Sequence, residues 1–181
     1  MAYSVDLALS ATTAAVIDMV CDRLEEDPKI ETYRRLGTAP HVSLGVYDNV
    51  DVRRFGDAAA AFARTISPIS VHLGAIGVFC HETSVLFIAP VVTGELLALH
   101  ERFHREFEAF NETCWNYYCP GNWVPHITLA MNLSAAPLAD AITKVAPIWR
   151  EHDATLDRLR FVSHPPFHLL AEHRLSEAAK Q

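Results

Sequence analysis

The stretches Pro40-His41-Val42-Ser43-Leu44 and Pro125-His126-Ile127-Thr128-Leu129 write one pattern twice, 85 residues apart: proline, histidine, apolar residue, hydroxyl, leucine. These residue types can do chemistry together. Histidine titrates near neutrality, so one imidazole can take a proton from water while another gives a proton to a departing sugar oxygen. Hydroxyls can donate to phosphoryl oxygens and hold the group in line as charge shifts during displacement. Two imidazoles and two hydroxyls around one point suit a phosphate ester.

With 10 histidines in 181 residues, a bare His-x-Ser/Thr match arises about once by chance. A third copy, His81-Glu82-Thr83, shows that risk. Requiring the preceding proline and both apolar neighbours lowers the chance expectation to roughly 0.015, yet His41 and His126 both satisfy it.

The elements that must position these residues follow from hydrophobic periodicity. A strand is predicted near 3–9, then a helix over about 12–26 that Ser10 can cap and that Asp27-Pro28 ends. His41 to Tyr47 alternates as a strand, the DVRRFGDAAAAFART stretch reads as a helix, and strand-like runs follow at about 70–79 and 84–90. A second round comprises a helix over 93–110, a strand from His126 to Leu133, a helix over about 136–149 and two closing strands. Corresponding pieces of the two rounds are offset by 83 to 85 residues, the mark of an internal duplication. The expected architecture is α+β, one domain over 1–181 built of two pseudo-symmetric lobes (about 12–90 and 93–175). Antiparallel sheets lie inside, helices outside, and a cleft between. Strand alternation puts His41, Ser43 and Gly45 on one face and His126, Thr128 and Ala130 on the corresponding face, each set turned to the cleft.

Composition narrows the function classes. A chain of 181 residues can bury roughly 70% of its unfolded surface, and no apolar run approaches the roughly 20 residues of a membrane span. The N-terminal stretch lacks a basic leader, so a cytoplasmic location is expected. Four cysteines without a paired Cys-x-x-Cys spacing point to reduced, mostly core thiols rather than a disulfide scaffold or metal knuckle. A net charge of −7 disfavours long nucleic acid as a partner but not a small phosphate ester or short RNA end.

His-x-Ser/Thr strands 85 residues apart in a duplicated α+β chain resemble the 2H phosphoesterase superfamily. That group includes bacterial 2′-5′ RNA ligase-like proteins and 2′,3′-cyclic nucleotide phosphodiesterases. The resemblance implies that His41 and His126 are catalytic, that Ser43 and Thr128 bind the phosphate, and that a 2′,3′-cyclic phosphate is hydrolysed without a metal or other cofactor. It also implies that the first histidine is the proton donor and the second the acceptor. A nucleotide-binding module that keeps the cleft without chemistry, and 2′-5′ RNA ligase-like joining, stand as alternatives.

The loops feeding the motifs offer Tyr33, Arg34, Arg35, Tyr118 and Trp123 for stacking on a base or pairing with a phosphate. His81 and His164-Pro165 read as hairpin-turn positions. His100 and His104, four apart on a helix without a completing His-Glu-x-x-His, read as a solvated face.

Overall fold

The computed structural model describes residues 1–80 and 82–175, so His81 lies outside the described residues. Eight strands run as β1 (Ala2–Leu9), β2 (Glu31–Thr32), β3 (His41–Asp48), β4 (Ile69–Phe79), β5 (Ser84–Pro90), β6 (Ile127–Leu133), β7 (His152–His164) and β8 (His168–Arg174). The helices are α1 (Ala11–Leu24), α2 (Val52–Ala63), α3 (Gly94–Glu106) and α4 (Ala135–Val145). Their order repeats as expected, helix, His strand, helix, strand, strand. Ser10 caps α1 as the sequence suggests, and Asp51 and Thr93 likewise accept from backbone N–H groups in the first turns of α2 and α3.

The strands form one antiparallel sheet in the order β2-β6-β5-β4-β7-β1-β3, with β8 beside β7. β7 is long enough to serve both ends of it. One edge pairs with β4 over His152 to Leu156 and then with β8 from Arg158, while β1 runs along the other edge. The strands that neighbour one another in the sheet therefore do not sort by the sequence repeats at 12–90 and 93–175. β4 and β5 from the first repeat pair beside β6, and β7 and β8 from the second sit beside β1 and β3. Each His strand takes its sheet neighbours from outside its own repeat, because the β4–β7 ladder joins the two ends of the sheet.

Helices α2 and α3 pack on the sheet through aromatic rings. Phe55 meets Tyr47, Phe107, Phe110 and Phe161 with centroids 4.9 to 5.2 Å apart. Truncating such a buried ring to alanine typically costs about 3–5 kcal/mol. Cys21 is buried as a core thiol should be, but Cys114 and Cys119 are half-buried and Cys80 is exposed. Among the described residues no helix is long and apolar enough to cross a membrane.

Both motif strands break their alternation at the same place. On β1 and β3, Asp6 stands opposite Ser43 while its neighbour Val5 stands opposite Gly45, so Leu44 is an extra, bulged residue. On β5 and β6, Phe87 faces Thr128 while Leu86 faces Ala130, so Leu129 bulges likewise. A bulge re-aims the side chains around it. Gly45 and Ala130 consequently turn to the core rather than to the cleft, a correction to uninterrupted alternation. A Cβ on Gly45 would lie 2.6 Å from the Tyr47 ring, which leaves room only for glycine.

Candidate active site

The two histidines are anchored alike. His41 Nδ1 lies 2.6 Å from the Ala39 carbonyl and His126 Nδ1 lies 2.8 Å from the Val124 carbonyl. A carbonyl only accepts, so each ring carries its hydrogen on Nδ1 and leaves Nε2 as the free nitrogen. The proline between each carbonyl and its histidine biases the preceding residue to extended geometry. That explains the repeated Pro-His. The rings sense one another, since charge on His41 helps lower the pKa of His126.

Their surroundings differ. His126 sits edge-on to Phe79, centroids 4.8 Å apart, and near Phe87 at 5.4 Å. Burial among these rings, foremost, and then His41 hold its pKa below the ordinary histidine value. His41 Nε2 instead lies 3.7 Å from Oδ2 of Asp6, a carboxylate with no solvent exposure. Asp6 accepts from Ser43 Oγ at 2.8 Å and from Ser4 Oγ at 3.0 Å. The Ser43 hydrogen is thus donated to Asp6, whereas Thr128 lines the neighbouring pocket with no protein partner for its hydroxyl among the described residues.

That pocket, of about 310 Å³, is lined by His126, Thr128, Phe79, Trp115, Tyr118 and Met131 among others. Tyr118 is thus part of the wall of this pocket. Its ring centroid is 6.5 Å from that of His126, and burial, with Asp6 and Cys114 nearby, pushes its pKa up to about 12. His164 is stacked on Phe167 with centroids 5.0 Å apart and lies edge-on to Trp115, a pocket residue, at 6.3 Å.

The other expected substrate contacts are engaged elsewhere. Tyr33 is buried and donates to Asp18 at 2.6 Å. Arg34 pairs with Asp22 of α1 at 2.7 Å and with Glu25, just past its end, at 2.8 Å. Arg35 donates to the carbonyls of Glu25, Asp27, Pro28 and Ile30, closing the end of that helix. Trp123 stacks flat on His100, centroids 3.9 Å apart, and donates to the Ser43 carbonyl at 2.9 Å. Its ring is covered, so it binds β3 to the loop before β6 rather than a base.

His100 and His104 are buried, not solvated. Their Nε2 atoms lie 3.1 and 3.3 Å from the Leu44 carbonyl, the group the bulge frees from the ladder, and His100 also reaches the Tyr118 carbonyl at 2.9 Å. Burial, foremost, and His104 beside it lower the His100 pKa to about 4. These two rings clamp the bulge that aims Ser43. At the second bulge, the Tyr33 N–H donates to the Leu129 carbonyl at 3.2 Å. The stripe Leu96, His100, Phe103, Phe107, with its 3- and 4-residue steps, marks a buried helix face and is the sequence signal for the clamp. Asp6 carried a similar signal as the lone acid in an apolar strand.

The family model of the 2′-5′ RNA ligase superfamily matches residues 13–165. A Bacillus cytotoxicus protein provisionally named a phosphoesterase is 31% identical over 108 residues, 60% of this chain and 54% of that protein. The chain thus matches only about half the length of that relative. The structure of TT0787 from Thermus thermophilus aligns with a TM-score of 0.65 at 16% identity, covering 98% of this chain and 100% of that one. Escherichia coli LigT complexed with 3′-AMP aligns with a TM-score of 0.64 at 13% identity, covering 97% and 98%. The fold is theirs, and with a family match running through both motifs the chain belongs to the 2′-5′ RNA ligase superfamily, the 2H phosphoesterases.

Proposed function

We propose that the protein is a metal-independent phosphodiesterase that opens a 2′,3′-cyclic phosphate on a nucleotide, RNA end or related small ester. The observation that carries this reading is the shared anchoring of His41 and His126, which leaves both Nε2 atoms unprotonated in the neutral rings. His126, whose pKa is lowered by burial, is neutral at pH 7 and accepts the proton of the attacking water. His41, with Asp6 beside its Nε2, serves as the acid and gives a proton to the ribose oxygen as its bond to phosphorus breaks. A phosphate monoester and a free ribose hydroxyl result, with the protons exchanged between the two imidazoles.

Thr128 donates to a phosphoryl oxygen, and Ser43 is held in register by Asp6. The aromatic pocket next to His126 suits a base, which stacks on such rings. The solved complexes of LigT with 3′-AMP and with ATP support nucleotide recognition for that protein, and we extend it here to this chain. Incubating the protein with nucleoside 2′,3′-cyclic phosphates in excess EDTA and following phosphorus resonances tests the proposal. Conversion to a single monoester is expected. Saturable binding without product would instead identify a non-catalytic module.

A further inference from the structure

In the proposed reaction the phosphate carries two nonbridging oxygens, and both gain charge as water attacks, so a hydrogen-bond donor at each lowers the barrier. The motif hydroxyls supply only one. Ser43 Oγ donates its hydrogen to Asp6 at 2.8 Å, and that carboxylate has no solvent exposure. Thr128 lines the pocket with its hydroxyl unclaimed among the described residues, and serves one oxygen.

Tyr118 bridges the two motifs. It ends the short turn Asn116–Tyr118, where its N–H donates to the Trp115 carbonyl at 2.8 Å and its carbonyl accepts from His100 Nε2 at 2.9 Å. The same His100 nitrogen reaches the Leu44 carbonyl at 3.1 Å, and Trp123, stacked on His100, donates to the Ser43 carbonyl. The backbone of Tyr118 is thereby tied to β3 and the His41 motif. Its side chain lines the pocket of His126 and Thr128, with the Tyr118 and His126 ring centroids 6.5 Å apart.

The fold makes no use of the Tyr118 hydroxyl. No hydrogen bond engages it among the described residues, and it is not sealed away as the Tyr47 hydroxyl is, buried without a partner. Burial of the phenol, with Asp6 and Cys114 nearby, pushes its pKa up to about 12. At neutral pH the hydrogen therefore stays on the oxygen, ready to be donated.

We propose that the Tyr118 hydroxyl is the second hydrogen-bond donor to the reacting phosphate and takes the nonbridging oxygen that Ser43, committed to Asp6, does not serve. This deepens the cyclic-phosphodiesterase reading and rests on it for the identity of the reacting group. Tyr118 is then a catalytic residue rather than only part of an aromatic wall. No proton leaves the phenol: its hydrogen bond strengthens as the oxygen gains charge and relaxes once the monoester has formed.

Adenosine 2′,3′-cyclic phosphorothioates read the two donors separately, because sulfur replaces one nonbridging oxygen in each diastereomer and is the weaker acceptor. The wild-type protein should turn over both diastereomers more slowly than the all-oxygen substrate. Y118F should lower kcat on the all-oxygen substrate roughly 10- to 150-fold with an unchanged melting temperature, and should erase the slowing by sulfur in one diastereomer, while T128A erases it in the other. A role in stacking or in the fold alone would lower rates without altering the sulfur effects. Wild-type kcat in Y118F, or sulfur effects in Y118F that match the wild type for both diastereomers, overturn the proposal. If the wild-type protein turns over none of these substrates, the reaction reading fails and calorimetry judges Tyr118 by itself. Y118F should then bind adenosine 3′-monophosphate about 10-fold more weakly than the wild type does and adenosine equally well; equal binding of the monophosphate, or equal weakening for both ligands, overturns the assignment of the hydroxyl to the phosphate.

Discussion

Asp6 offers the most informative perturbation, because one buried carboxylate touches both halves of the His41 motif. D6N keeps the volume and leaves an oxygen to accept from Ser43, but removes the charge 3.7 Å from His41 Nε2. Two unit charges at that separation attract by about 4 kcal/mol at an effective dielectric near 20. Desolvation and relaxation reduce that figure. A hydrogen bond to a charged group, the second contribution, is worth about 1.5–3 kcal/mol. Taking the smaller range as the part expressed in the transition state, kcat should fall about 10- to 150-fold. Steady-state kinetics on a nucleoside 2′,3′-cyclic phosphate, with thermal melting to show that the fold survives, measures it. S43A removes a partner in the same network, so the D6N/S43A double variant should lose far less than the product of the single losses. A folded D6N with the wild-type rate, or losses that multiply, would refute the assignment of Asp6 as the residue that positions this motif.

T128A removes a hydroxyl that has no structural partner among the described residues. It should therefore lower kcat/KM by roughly 10- to 150-fold with an unshifted melting temperature; unchanged kinetics would take the hydroxyl out of the mechanism. F79A opens the aromatic wall against which His126 is buried, so the lowered pKa should relax upward and the acid limb of the kcat/KM profile should move to higher pH. A limb that stays put argues against His126 as the base. His100 titrates near 4 in the fold and near 6.5 when unfolded, so the unfolded chain binds more protons between these values. Stability is full above about pH 6.5 and falls as pH drops toward 4, by about 3 kcal/mol for this group. Urea midpoints for wild type and H100N should converge across that interval, and parallel curves would contradict the clamp.

The sequence already displays why His41 and His126 belong together, since the proline and leucine around each have the same duties in both copies. Proline sets up the carbonyl that fixes the ring, and leucine supplies the bulge. The helices and strands were legible because their periodicity and caps agree with the sheet. The bulges were not, because an extra residue in a ladder leaves no mark on alternation until the partner strand is known. For the same reason the exchange of strands between the repeats stayed hidden: pairing of β5 with β6 and of β7 with β1 is a long-range choice. Tyr33, Arg34 and Arg35 have the residue types of a nucleotide site, yet the acids of α1 claim Tyr33 and Arg34 while helix-end carbonyls claim Arg35. Asp6 meets Ser43 only through register, which sets the two opposite one another on β1 and β3.

The coupling between the two imidazoles tests the central claim most directly. Rates of 2′,3′-cyclic phosphate opening should be measured in EDTA for the wild-type protein, H41A, H126A and the double variant. Acid–base catalysis contributes about 10²- to 10⁴-fold per group, and groups acting as a unit are strongly non-additive. Each single variant should lose activity on that scale, and the double variant should lose little more than the worse single one. Losses that multiply, or a single variant with the wild-type rate, would mean that His41 and His126 do not serve one phosphate as acid and base.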